Sequence, residues 1–135
     1  MIALDTNVLV RYVVEDDPDQ TAVATAMIER AIAKGESLFL AQIVLCELVW
    51  VLAQAYRFEK QEILGVLQQL RRGAQVTIEG VDEVRKATES YAAANGDFAD
   101  YLIAERAIAS GCTLVATFDR KLHADARFAS PDRAS

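Results

Sequence analysis

An α/β fold built on a mostly parallel sheet is the fold class that this sequence predicts, and three observations predict it. Short apolar runs of strand length, such as Met1 to Leu4 and Ser37 to Ala41, alternate with longer stretches of helical period. Strands separated by helices call for parallel pairing through crossovers, with helices covering both faces of the sheet. Apolar residues make up 53% of the 135-residue chain and charged residues 25%, enough to build one core without a disulfide or zinc scaffold. The expected architecture is a three-layer sandwich whose central sheet holds four to five short strands. The domain is placed at 1–125, followed by a weakly ordered C-terminal tail over 126–135.

Each element has its own signal. Met1 to Leu4 is a strand that stops at Asp5, and a helix opens within Asp5-Thr6-Asn7, whose side chains can all cap backbone N–H groups. Glu15 to Asp19 is a loop, with Pro18 suited to the first turn of a second helix. That helix runs to about Lys34, with Ala22, Ala26, Ile28 and Ile32 toward the core and Gly35 ending it. Ser37 to Ala41 is the second strand. Gln42 to Tyr56 is a helix apolar almost all round, expected to be buried on most sides. Glu59 to Arg72 is amphipathic, with Ile63, Leu64, Leu67 and Leu70 in one stripe and Gly73 at its close. Gln75 to Ile78 is the third strand, and Val81 to Asn95 the next helix. Asp100 opens the last helix, which ends at Gly111, and Cys112 to Thr117 is the fourth strand.

Composition excludes several classes. Fourteen Lys and Arg against twenty Asp and Glu give a net charge of −6, which disfavours tight electrostatic binding to bare duplex DNA or to an anionic membrane. The apolar run from Ile43 to Val51 is broken by Glu47 and too short to span a bilayer. The opening Met1-Ile2-Ala3-Leu4-Asp5 has no basic n-region or apolar h-region, so a cytoplasmic location is expected. Cys46 and Cys112 sit in apolar runs without metal-ligand spacing and read as reduced core thiols. Glycine-rich nucleotide cradles are absent, and no serine or cysteine is paired with a base. His123 reads as a surface or structural residue, Trp50 and Phe39 as core. Arg71-Arg72 and Arg85-Lys86 read as solvated helix faces.

The chemical signal is where the acids fall. Asp5 directly follows a strand, Asp100 opens a helix, and Asp119 lies just past the apolar strand Thr113-Leu114-Val115-Ala116. In open parallel sheets the carboxyl ends of the strands and the following helix N-termini line the crevice where ligands bind. Glu47, the one exception among the ten residues Ile43 to Leu52, is under two turns down its helix and can reach the same edge. Carboxylates clustered among apolar residues repel one another and lose hydration unless a cation neutralises them. Hard oxygen donors suit Mg²⁺ or Mn²⁺, which can activate water and neutralise charge on a phosphodiester. Each acid also has a plainer role open to it. Asp5 and Asp100 can be helix caps, Asp97 a loop or cap residue, Asp119 a turn residue, and Glu47 half of a buried ion pair.

Ile2-Ala3-Leu4-Asp5-Thr6-Asn7-Val8-Leu9 resembles the opening of PIN domains, in particular the VapC-type toxins of type II toxin–antitoxin pairs. The resemblance continues through Glu47, Asp97-Phe98-Ala99-Asp100-Tyr101-Leu102-Ile103-Ala104 and Thr117-Phe118-Asp119, covering Met1 to about Asp125. It implies a PIN-like α/β fold and a metal-dependent endoribonuclease that leaves a 5′-phosphate and a 3′-hydroxyl. By position, Asp5, Glu47 and Asp100 match the family's three core acids and Asp119 its more variable fourth. These four are the implied catalytic and Mg²⁺- or Mn²⁺-binding residues, with Asp97 a further candidate ligand. Asn7 and Thr117 match supporting polar positions that orient the acids or the water. The resemblance also implies an RNA substrate, a VapB-type antitoxin as partner and a homodimer. The charge of −6 suits a basic antitoxin segment, and the apolar excess from Gln42 to Arg72 suits dimer and antitoxin contacts.

Two readings compete. One is a catalytically silent PIN-like module that binds RNA or protein, against which the complete set of acids argues. The other is a phosphatase or phospho-receiver. It would need an aspartyl nucleophile with a second Asp two positions on, where Asp5 is followed by Thr6 and Asn7.

Overall fold

The computed structural model describes Met1–Ala134 and divides into two compact units, Met1–Val81 and Asp82–Ser135. The first unit carries β1 (Ile2–Ala3), α1 (Thr6–Val14), α2 (Pro18–Ala33), β2 (Leu38–Leu40), α3 (Gln42–Gln54), α4 (Lys60–Arg72) and β3 (Val76–Ile78). Its strands form a parallel sheet in the order β1-β2-β3, with Ile2 opposite Leu38 and Leu38 opposite Val76. Helices separate every paired strand, which is why the pairing is parallel.

Local chemistry sets the helix limits. Asp17 caps α2 by accepting from the Gln20 N–H at 3.1 Å, with Pro18 at the first helical position. Glu59 and Glu62 form a capping box at the start of α4, and Arg71 and Arg72 sit in its last turn, where they favour the negative end of the helix dipole. Leu45, Leu48 and Leu52 on α3 are completely buried, and Ile63 and Leu67 nearly so on α4.

The second unit carries α5 (Val81–Ala93, from its second residue), α6 (Phe98–Ala109), β4 (Val115–Ala116) and β5 (Phe128–Ala129), with short 3₁₀ turns at Arg120–Leu122 and Pro131–Arg133. β4 and β5 pair in parallel, Val115 opposite Phe128 and Ala116 opposite Ala129. Phe128 is buried and stacks edge-on against Tyr101. So a paired strand lies within 126–135, the stretch for which the sequence suggested a weakly ordered tail. Arg127 beside it is held by Asp125 at 2.7 Å and Glu105 at 2.7 Å. Gly96 is needed for close approach: its N–H donates to the Tyr101 hydroxyl at 2.9 Å, and a Cβ there would sit 2.5 Å from the Leu122 side chain.

The fold is thus α/β with parallel pairing, as expected, the five strands among the described residues only two or three residues long and paired in two groups. Three expectations about burial are corrected. On α2 the buried stripe is Ala24, Ile28 and Ala31, while Ala22 and Ala26 are exposed and Ile32 is 42% exposed. In an alanine-rich helix several stripes are similarly apolar, and small residues around Ile28 permit the closest packing. Trp50, expected in the core, is 66% exposed, and Ile43 about two turns away on the same face is also exposed. An apolar helix need not be covered all round, and residues 43, 47 and 50 share one helical face. Cys112 is exposed, not a core thiol, because it follows the left-handed Gly111 that turns the chain out of α6. Cys46 is half-buried, its thiol pushed up by burial and by the nearby Glu47 charge. No helix among the described residues is long and apolar enough to cross a membrane.

Candidate active site

In the first unit the candidate residues gather at the end of β1. Asp5 leaves the strand and becomes the N-cap of α1 in extended conformation, its carbonyl accepting the first helical bond from Leu9. Its exposed side chain makes no capping bond, so the capping role that its position allows is not filled by the carboxylate. Thr6, the next residue, is buried, and its hydroxyl donates to Glu47 Oε1 at 2.9 Å. Glu47 lies on the exposed face of α3 with Ile43 and Trp50, not among the buried leucines. It has no ion-pair partner among the described residues, and a threonine fixes one of its oxygens. Asn7 is exposed in the first turn of α1 and takes no part in that bond.

Thr6 is the residue that sequence reasoning passed over. Its place between Asp5 and Asn7 suggested only capping. The signal was available in its type: a hydroxyl one residue beyond a strand-end acid is a natural donor to a second carboxylate.

In the second unit Asp97 is the N-cap of α6 and Asp100 its third residue, so Asp97 rather than Asp100 opens the helix. The two form a capping box in which Asp100 Oδ2 accepts from the Asp97 N–H at 2.9 Å. Phe98 between them is fully buried and packs edge-on against Tyr91, with centroids 6.2 Å apart, which anchors this end of the helix. Asp119 caps the 3₁₀ turn after β4, accepting from the Lys121 N–H at 3.1 Å. Thr117 Oγ1 accepts from the Asp119 N–H at 3.1 Å, so Thr117 holds the backbone of the acid two residues on. The Thr117 carbonyl accepts from His123 Nε2 at 2.9 Å, which assigns His123 a structural bond.

Asp100 is the electrostatic centre of this unit. Burial raises its pKa above the ordinary carboxylate value, the charges of Asp97 and Asp119 push it further up, and a backbone hydrogen bond and Lys121 pull it down. Three carboxylates therefore feel one another here, and one of them holds its charge at a cost that a cation would remove. The donors are all hard oxygens, the set that Mg²⁺ and Mn²⁺ prefer. Within each unit taken alone, the described residues include no group of three or more His, Cys, Asp or Glu side chains converged tightly enough to hold a metal ion.

The arrangement has relatives. The chain is 28% identical over 121 residues to a protein of Aquifex aeolicus (strain VF5) named VapC ribonuclease, an alignment covering 90% of this chain and 89% of that one. The family model for the PIN domain matches residues 2–128, which takes in Asp5, Glu47, Asp97, Asp100 and Asp119. The chain belongs to the PIN domain family.

Proposed function

We propose that the chain is a metal-dependent endoribonuclease acting as the growth-inhibiting toxin of a type II toxin–antitoxin pair. The observation that carries this reading is a family match from 2 to 128 that spans the five candidate acids, joined by likeness to a ribonuclease over nine-tenths of the chain. Asp5, Glu47, Asp100 and Asp119 are the proposed catalytic and metal-ligating residues, with Asp97 a further ligand. Bound there, Mg²⁺ or Mn²⁺ would lower the pKa of a water and neutralise charge on the phosphodiester.

The chain's own residues prepare for this. Asp100, whose charged form is opposed by burial and by two neighbouring acids, would be relieved of that cost by a bound cation. The Thr6 hydroxyl holds one Glu47 oxygen, and Thr117 holds the backbone of Asp119. Asn7 is a supporting polar residue in the first turn of α1. The proposed partners are an RNA substrate, a VapB-type antitoxin whose basic segment suits a chain of net charge −6, and a second copy of the chain. The proposed location is the cytoplasm.

The test is incubation of total RNA with the purified protein in Mn²⁺, Mg²⁺ or EDTA, beside Asp5→Asn, with bound antitoxin excluded by mass. Discrete fragments with 5′-phosphates, formed only with metal and lost in the variant, are expected. Intact activity in Asp5→Asn or in EDTA would refute the reading. One observation favours the alternative, a catalytically silent PIN-like binding module: neither unit by itself gathers three ligating side chains. Calorimetric titration separates the two, since the silent module takes up no Mn²⁺ at millimolar concentration.

Thr6→Val tests the positioning of Glu47. Valine keeps the buried volume and removes the donor, so cleavage should fall by about 10- to 100-fold while the melting temperature changes little. Equal rates in the two proteins would show that the 2.9 Å bond does not serve the reaction.

A further inference from the structure

Beside Asp119 lies an open pocket of about 740 Å³, formed entirely within the second unit. Phe118, Arg120, His123, Phe128, Asp132 and Arg133 are among its walls. Two features set it apart from the rest of the molecule. Its charged walls are two arginines against one aspartate, in a chain whose net charge is −6. And Phe118 is 86% exposed, the most exposed of the large apolar side chains, although a single turn places it between Thr117 and Asp119.

A phenyl ring turned out to water costs hydrophobic free energy unless something covers it. A surface that is flat, apolar on its face and compatible with guanidinium groups would cover it. Arg120 and Arg133 form no ion pair among the described residues, so neither charge is spent within the fold. The Asp132 carboxylate is engaged by the Ser130 hydroxyl. An exposed aromatic face next to unpaired guanidinium groups is the combination that holds a single-stranded nucleic acid, the ring stacking a base and the arginines meeting phosphates. The position is fixed as well. Thr117 bonds Asp119 through its hydroxyl and His123 through its carbonyl, so one residue braces both the acid and a wall of the pocket.

We propose that this pocket is a nucleotide subsite of the RNA substrate, in which Phe118 stacks on a base flanking the scissile phosphate and Arg120 and Arg133 hold the adjoining backbone. The assignment rests on the ribonuclease reading and deepens it. It makes Phe118 a binding residue that owes its place to being one residue from Asp119, within about 4 Å along the chain.

The probe is a fluorescein-labelled oligouridylate of about twelve nucleotides, followed by anisotropy in EDTA so that it is not cut. Phe118→Ala is expected to weaken binding by about ten-fold and Phe118→Trp to retain it. Arg120→Ala and Arg133→Ala should each weaken binding and lower the slope of log K against log salt by about 0.7. Cleavage of total RNA in Mn²⁺ is measured in parallel. If the parent protein cleaves RNA but Phe118→Ala, Arg120→Ala and Arg133→Ala all bind the probe as it does, the subsite is overturned and the nuclease stands. If the parent binds the probe through Phe118 but cuts nothing, the subsite stands and the nuclease reading falls. An unchanged salt slope in both arginine variants would remove the phosphate half of the proposal.

Discussion

Asp100→Asn should reduce RNA cleavage by about 1,000-fold or more, some 4 kcal/mol of barrier, and at the same time make the metal-free protein more stable. The two effects have one cause. Asp100 carries a charge that burial and the neighbouring Asp97 and Asp119 oppose, so its folded pKa lies above the ordinary 3.8. The native chain then holds that proton to higher pH than the unfolded chain does. Stability contributed by the neutral carboxyl is complete below pH 3.8 and is lost as the pH rises through the folded value. An amide cannot ionise, yet its oxygen still accepts from the Asp97 N–H, so the capping box keeps that arm. Melting curves in EDTA should show the variant gaining on the parent as the pH rises from 4 through the folded pKa of Asp100, and the variant melting higher at pH 7. Saturating Mn²⁺ should raise the parent's melting temperature and leave the variant's nearly unmoved. A variant that cleaves at the parent's rate removes Asp100 from the proposed site.

Phe98→Ala carries the largest expected cost to stability. The ring is fully buried, and its removal leaves a cavity under the first turn of α6, beside Tyr91. Such truncations cost about 3–5 kcal/mol, a large share of a small protein's total stability. Because Phe98 stands between Asp97 and Asp100, cleavage should fall even where the variant remains folded, since both acids lose their anchor. Urea unfolding followed by circular dichroism gives the stability change. A cost below about 1 kcal/mol would mean that the helix end is held by other residues.

What the sequence disclosed and what it hid follow from the range of the forces involved. Helix limits were legible because their signals are local: Pro18 after Asp17 at the start of α2 and Gly73 after Arg72 at the end of α4 each act within a few residues. Spacing also led to the acids, since strand-end positions follow from element order. Burial was less legible. Trp50 and Ile43 lie in an apolar helix whose composition cannot say which face lacks a neighbour. β5 is a pair of residues between Arg127 and Ser130, too short to show a period of two. The Thr6–Glu47 bond joins residues far apart in sequence, brought together by the parallel pairing of β1 with β2 and the packing of α1 on α3. The offset between Asp97 and Asp100 was a matter of one helical turn, in which either acid could have been the cap.

The short parallel strands bear on the order in which the chain can fold. In the first unit Ile2 must find Leu38 and Leu38 must find Val76, each about 36 to 38 residues away. Val115 must find Phe128 across only about 13. On loop-closure entropy alone the longer searches cost about 1 kcal/mol more apiece. With so few ladder bonds per pair to repay it, they wait for helices to form and dock. The β4–β5 pair, with Arg127 neutralised between Asp125 and Glu105, closes the shortest loop of the strand pairings. A nascent chain would have to emerge past residue 129 before that early nucleus could form, because its second strand lies at residues 128 and 129.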